Sequence, residues 1–83
     1  MIKLTLYSKP ECSLCEKMKT TVNNVAKIIP LSVEEIDITN DPQLEKGYSE
    51  KIPLLLYFGE ELAMYKVSEE KLIQKLKTVI GNS

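Results

Sequence analysis

Lys9-Pro10-Glu11-Cys12-Ser13-Leu14-Cys15 contains the only two cysteines of the chain, separated by two residues. In front of it Ile2, Leu4 and Leu6 alternate with Lys3, Thr5 and Tyr7. That period of two predicts a strand over Ile2–Tyr7. Behind it the period changes. Leu14, Met18, Val22, Val25 and Ile29 recur at helical spacing, while Glu16, Lys17, Lys19, Asn23 and Lys27 fill the other face. Ser8 to Glu11 reads as the loop between them, with Lys9 extended because a proline follows it. Pro30 stops the helix. The cysteine pair therefore stands where a strand gives way to a helix.

Working outward, Ser32–Ile38 reads as a second strand, although the adjacent Glu34 and Glu35 break its alternation. Asp41 followed by Pro42 is a helix start, with Asp41 as N-cap and Pro42 at the first position. Gly47 is its expected stop and Leu44 its expected anchor. Ile52-Pro53-Leu54-Leu55-Leu56-Tyr57-Phe58 is continuously apolar, as in a central strand covered on both faces. Pro53 takes the first position, which a strand tolerates. Gly59-Glu60 reads as a tight turn into an edge strand over Glu61–Lys66. Ser68, ahead of Glu69 and Glu70, caps a last helix. Its apolar stripe is Leu72, Ile73, Leu76, Val79 and Ile80, and Gly81 ends it. The order is β-α-β-α-β-β-α. The first crossover implies a parallel pair and the tight turn an antiparallel one, giving a mixed four-stranded sheet with helices on both faces, an α/β fold.

Length and composition bound the function. Eighty-three residues make a single domain, 1–83. Eleven lysines balance 12 acidic residues, and there is no arginine. Neither a basic footprint for nucleic acid nor a planar fork for phosphate is present. No run approaches the ~20 apolar residues of a membrane span. The first apolar run, broken by Lys3 and Thr5, does not read as a secretory signal. The expected setting is a reducing cytoplasm, and the expected state a monomer.

The chemistry rests on the two sulfurs. A thiolate, not a thiol, attacks a disulfide, and a free cysteine titrates near about 8.5. Unpaired N–H groups and the dipole at a helix start favour the anion, and Lys9 adds a nearby positive charge. Cys15 lies nearly one turn on, so its sulfur reaches back. Cys12 is then the nucleophile and Cys15 the resolving thiol. Three other readings of the pair stand beside this one. In the first, Cys15 is a small buried apolar residue with Cys12 a bystander. In the second, the pair binds zinc. That needs four ligands, and with no histidine the chain would have to share four sulfurs in a dimer or recruit carboxylates. In the third it is an inert structural disulfide, whose closed loop ties no distant parts together.

Tyr7-Ser8-Lys9-Pro10-Glu11-Cys12-Ser13-Leu14-Cys15 resembles the strand end and active-site loop of glutaredoxins, within the thioredoxin-like fold. Length and element order extend the likeness over nearly the whole chain. The resemblance implies a thiol–disulfide oxidoreductase that reduces protein or glutathione mixed disulfides. It holds no tightly bound cofactor, takes glutathione as co-substrate and is restored by glutathione or a thioredoxin-type reductase. The resemblance also implies a cis bond at Ile52-Pro53, facing the cysteines, with the Ile52 backbone free to pair with an extended thiol peptide. Lys9 resembles the lysine that meets a glutathione carboxylate and helps to stabilise the thiolate, and Ser68 and Glu69 fall where the family has the helix start that binds the γ-glutamyl carboxylate. Ser13-Leu14 stands where the family usually has Pro-Tyr, and Lys66-Val67 where it has Gly-Gly. Those departures support an alternative: a redox-sensing or peptide-binding module without turnover, its groove lined by Leu14, Ile52 and Val67.

Overall fold

The computed structural model describes the backbone of residues 2–81 and the side chains through Val79. Four strands, β1 (Ile2–Ser8), β2 (Leu31–Asp37), β3 (Leu54–Tyr57) and β4 (Glu60–Met64), form one sheet in the order β2-β1-β3-β4. Helices α1 (Ser13–Ala26), α2 (Pro42–Tyr48) and α3 (Glu69–Gly81) complete the expected order. β1 and β2 are parallel across the α1 crossover, while β3 is antiparallel to both β1 and β4.

Leu4 and Leu6 on β1 and Leu55 on β3 face α1 and α3, where Met18, Val22, Val25, Leu72 and Leu76 close the core. Each such side chain contributes about 1.5–3 kcal/mol by leaving water, more than the weak helix propensity of a segment holding Thr20, Thr21 and Val22. On the opposite face Tyr7 meets Tyr48 of α2, ring centroids 5.0 Å apart. That contact and the alternation of β1 put helices on both sides. Leu54, Leu55 and Leu56 are all buried, as a strand covered on both faces requires.

Several boundaries differ from the sequence reading. β1 runs one residue further, because Ser8 pairs with Asp37 and is buried. β2 spans Leu31–Asp37 rather than Ser32–Ile38. Ile38 begins a 3₁₀ turn (Ile38–Asn40) capped by Asp37, whose carboxylate accepts the Thr39 N–H at 2.9 Å. The α1 stripe begins with Cys15, 2% exposed, not Leu14 at 38%. The buried face of α1 is Cys15, Met18, Val22 and Val25, and Leu14 falls off it. α1 stops at Ala26, ahead of Pro30. α2 starts on the expected Asp41 cap, which accepts from Gln43 and Leu44 N–H. It continues through Gly47 to Tyr48, carried by the Tyr7 contact, and Leu44 is only half-buried. β3 is shorter than Ile52–Phe58. The hairpin turn is Phe58-Gly59, one residue earlier than expected, with Tyr57 paired to Glu60. β4 ends at Met64 rather than Lys66. The expected place of Ile80 in the α3 stripe lies outside the described side chains, and Gly81 is the last described residue.

β4 carries a one-residue bulge, since Leu55 pairs with Ala63 but Leu56 with Glu61. The extra residue, Leu62, has its carbonyl taken by Lys75 Nζ from α3. The bulge, and the occupation of an edge carbonyl by a lysine from α3, guard β4 against pairing with other chains.

Candidate active site

The C-terminal ends of β1 and β4 and the N-terminal end of β3 share one edge of the sheet, since Tyr7 pairs with Leu54 and Leu54 with Met64. The cysteine loop leaves β1 there, Ile52-Pro53 enters β3 there, and Tyr65 leaves β4 there. Three segments far apart in sequence thus converge.

Cys12 is the N-cap of α1, with extended backbone (φ −110°, ψ 107°). Its Sγ accepts the Cys15 N–H at 3.2 Å, and its carbonyl accepts the Glu16 N–H at 3.2 Å. Sulfur thus takes the place that a serine or aspartate oxygen usually fills at a helix start. Cys12 and Cys15 are joined as a disulfide, Cα atoms 5.2 Å apart. Cys12 is half-exposed and Cys15 buried, which suits an entering partner at the first sulfur and an internal attack by the second. Glu11, directly before Cys12, holds a left-handed φ of 57°. A carboxylate residue carries no sequence signal for that conformation.

The remaining expected residues fall into separate places. The Ile52-Pro53 bond is cis, and both residues are buried. Leu14 is exposed beside the pair. Lys9 is exposed and lines a depression of about 230 Å³ with Glu11, Glu16, Glu35 and Asp37. Val67 and Ser68 belong to another depression, of about 540 Å³, shared with Lys66, Lys71 and Lys75 on the outer side of β4 and α3. Ser68 caps α3 as expected, its Oγ accepting the Lys71 N–H at 3.1 Å. Glu69 Oε2, however, accepts from Asn24 Nδ2 at 3.0 Å. That bond ties the first turn of α3 to the later part of α1, about 13 Å along the helix from Cys15.

A polar chain beside the loop had no sequence signal, because its members lie far apart. The buried Ser8 hydroxyl donates to Glu35 Oε2 at 3.0 Å. Glu35 Oε1 pairs with Lys19 Nζ at 3.1 Å, and Lys19 reaches Glu16 at 3.6 Å. The hydrogen bond to Glu35 is the chief cause of a raised Lys19 pKa. Burial opposes it, and the charges of Glu35 and Glu16 add to it. The chain fastens α1, one turn beyond Cys15, to the ends of β1 and β2. Among the described residues no group of three or more His, Cys, Asp or Glu is placed to hold a metal ion, and no described helix is long and apolar enough to cross a membrane.

Residues 3–77 match the Glutaredoxin-like domain family (DUF836). The chain belongs to that family. A search of curated proteins finds no match. Solved structures similar to this glutaredoxin-like chain include a structural-genomics protein from X. campestris (TM-score 0.79, 24% identity, covering 90% of this chain and 96% of that one). A Nitrosomonas europaea protein solved by NMR is similar at TM-score 0.73 and 26% identity, covering 98% and 88%. Thioredoxin 1 from Thermosipho africanus is similar at TM-score 0.66 and 20% identity, covering 99% and 100%. The fold is thus thioredoxin-like, and the pair sits at the C-x-x-C position the glutaredoxin resemblance implied.

Proposed function

We propose that this glutaredoxin-like protein is a thiol–disulfide oxidoreductase. The observation that carries the reading is Cys12 as the N-cap of α1, its sulfur accepting the Cys15 N–H at 3.2 Å. In the reduced protein that donor and the helix dipole favour a thiolate over a thiol at Cys12. The Cys12 thiolate attacks one sulfur of a substrate disulfide. A Cys12–substrate bond forms, the substrate S–S bond breaks, and the leaving thiolate takes a proton from water. Cys15 then gives its proton to water and attacks Cys12 Sγ, expelling the second substrate sulfur as a thiolate that takes a proton from water. The internal disulfide forms, so two electrons pass from the dithiol to the substrate. A second thiol donor, glutathione or a thioredoxin-type reductase, returns them by the reverse exchange.

Protein disulfides are the proposed substrates, with Leu14, Ile52 and Pro53 as contact residues at the edge that carries the cysteine pair, while Lys9, Val67 and Ser68 line separate depressions that only a longer partner would reach. The protein works as a monomer in a reducing cytoplasm. The test is a pair of variants with a disulfide substrate. Cys12→Ser abolishes turnover, and Cys15→Ser accumulates a mixed disulfide visible by mass. A Cys12 alkylation rate that rises only around the ordinary thiol value of about 8.5 counts against an activated nucleophile. The alternative, a redox-responsive binding module, draws on the side chains of Lys66 and Val67. Redox-dependent complex formation without turnover would favour it.

A further inference from the structure

Tyr65 directly follows β4 and holds φ at 69°, in the left-handed region. Across it the Lys66 N–H donates to the Met64 carbonyl at 2.8 Å. A three-residue turn closed by that bond, with positive φ at its centre, is the rarer and strained form of the γ-turn. The conformation is unfavourable for any residue with a Cβ. It persists where the surroundings over-determine it, and such places cluster at functional segments.

Two further bonds do the over-determining, and both go to one segment. The Tyr65 N–H donates to the Pro53 carbonyl at 2.8 Å. The Tyr65 hydroxyl donates to the Glu50 carbonyl at 2.6 Å. Between these anchors the Lys51 N–H donates to the Tyr48 carbonyl at 2.9 Å, so the segment is also tied back to the end of α2. Tyr65 remains 46% exposed and walls a depression of about 510 Å³ with Ser49, Glu50, Lys51 and Met64. A half-exposed ring adds modest burial. What distinguishes this tyrosine is that one residue grips Glu50–Pro53 at both ends.

We propose that Tyr65 is a positioning residue for substrate recognition. It straps the Glu50–Pro53 segment so that the Ile52 backbone, at the edge where the cysteine loop emerges, is held ready to pair with an extended chain. The inference rests on the oxidoreductase reading and narrows its substrate class. The favoured disulfide is one within a polypeptide long enough to lie along Ile52, rather than a compact low-mass disulfide that needs only Cys12.

The experiment compares wild type, Tyr65→Phe and Tyr65→Ala in two arms. The first arm is amide exchange at Lys51 and Tyr65, referenced to Leu55 in the core. The second is turnover of a disulfide-linked peptide against a compact aromatic disulfide such as dithiobis(nitrobenzoate). Tyr65→Phe removes only the hydroxyl. It should speed exchange at Lys51 and raise KM for the peptide by about 3–10-fold, the equivalent of one neutral hydrogen bond. Peptide kcat and both constants for the compact disulfide should stay unchanged. Tyr65→Ala should enlarge the same pattern. Unchanged exchange at Lys51 overturns the strap. Faster exchange with unchanged peptide KM overturns its role in recognition, as does an equal loss on both substrates. A wild type that reduces neither disulfide overturns the oxidoreductase reading instead, and the exchange arm then decides the strap alone.

Discussion

The double role assigned to Cys12, helix cap and nucleophile, separates cleanly in two substitutions. Cys12→Ser keeps a side-chain acceptor at the N-cap, and serine is among the preferred caps. Cys12→Ala removes it. Both variants lose the disulfide and the nucleophile, so the difference between them isolates the cap. The first four N–H groups of a helix lack intrahelical partners, and Cys12 Sγ satisfies the one belonging to Cys15. Losing a polar cap costs about 0.5–2 kcal/mol. Cys12 is only half-buried, so water can reach the freed donor, which places the cost near the middle, about 1 kcal/mol. For a domain of this length that is a shift in Tm of about 4–8 °C. The assay is thermal and urea denaturation of both variants under reductant. The urea slope should be unchanged, so that the midpoint alone reports stability. Neither variant should turn over a disulfide. Equal midpoints, or a more stable alanine variant, would show that a side-chain acceptor at position 12 adds nothing to α1, and the capping role read for the sulfur would fall. The account of how the fold favours the thiolate would then fail with it.

Two further predictions concern the hairpin tip and the polar chain. Phe58 and Gly59 both have positive φ, 48° and 82°, as a type I′ turn demands, and Asn-Gly is the preferred pair there. Phe58 is 85% exposed and so contributes little burial. Phe58→Asn should therefore stabilise by about 0.5–1 kcal/mol and Gly59→Ala destabilise by about 1–2 kcal/mol, both read as shifts in urea midpoint. A Cβ on Gly59 meets nothing within 4 Å, so that loss is purely conformational. The Lys19 pKa is raised in the fold, chiefly by Glu35. Its stabilising contribution is therefore complete below the unfolded value of about 10.4 and lost as pH rises through the folded one. The stability gap between wild type and Lys19→Met should hold steady from about pH 6 to 9 and close above about 10.5, and it should shrink in 1 M salt. A gap that closes between pH 5 and 7 instead would mean that the carboxylates, not Lys19, govern the chain.

The element order was legible because the hydrophobic period switches cleanly at punctuating residues. Alternation up to Tyr7 becomes helical spacing after Pro10, and Asp41-Pro42 and Ser68 start the next helices where capping chemistry says they should. The site's centre was legible for the same reason, since Cys12 and Cys15 fall at one of those switches. What stayed hidden is of two kinds. Some of it is tertiary. Nothing local announces that Ser8 reaches Glu35, 27 residues away, or that Tyr48 carries α2 past Gly47 to meet Tyr7. The rest is backbone conformation without a residue signature. Gly59 advertises positive φ, but Glu11, Phe58 and Tyr65 adopt it with side chains that ordinarily avoid it. Two of those three flank the convergent edge, one directly before Cys12 and one bonded to Glu50 and Pro53.

That distribution bears on which partner the edge suits. A glutathione carboxylate, on the family pattern, would seek the start of α3. There Ser68 already satisfies the Lys71 N–H through its hydroxyl and the Leu72 N–H through its carbonyl. The donors left for a ligand belong to Glu69 and Glu70, each bearing its own negative charge. A helix start attracts an exposed anion by about 0.3–1 kcal/mol, and like charges close by on a helix oppose by a similar amount. The Lys66 N–H is already committed to the Met64 carbonyl, closing the turn around Tyr65, and the lysine side chain stands where a glycine would let a ligand approach the backbone. Lys66, Lys71 and Lys75 line the same depression as Ser68 and leave the α3 start open to a carboxylate, so the proposed preference for a polypeptide rests on the strapped Glu50–Pro53 segment, whose backbone is held in a fixed place. On that proposal, pairing along the Ile52 main chain would not depend on the charge at α3, and a polypeptide disulfide would gain more from it than a low-mass thiol.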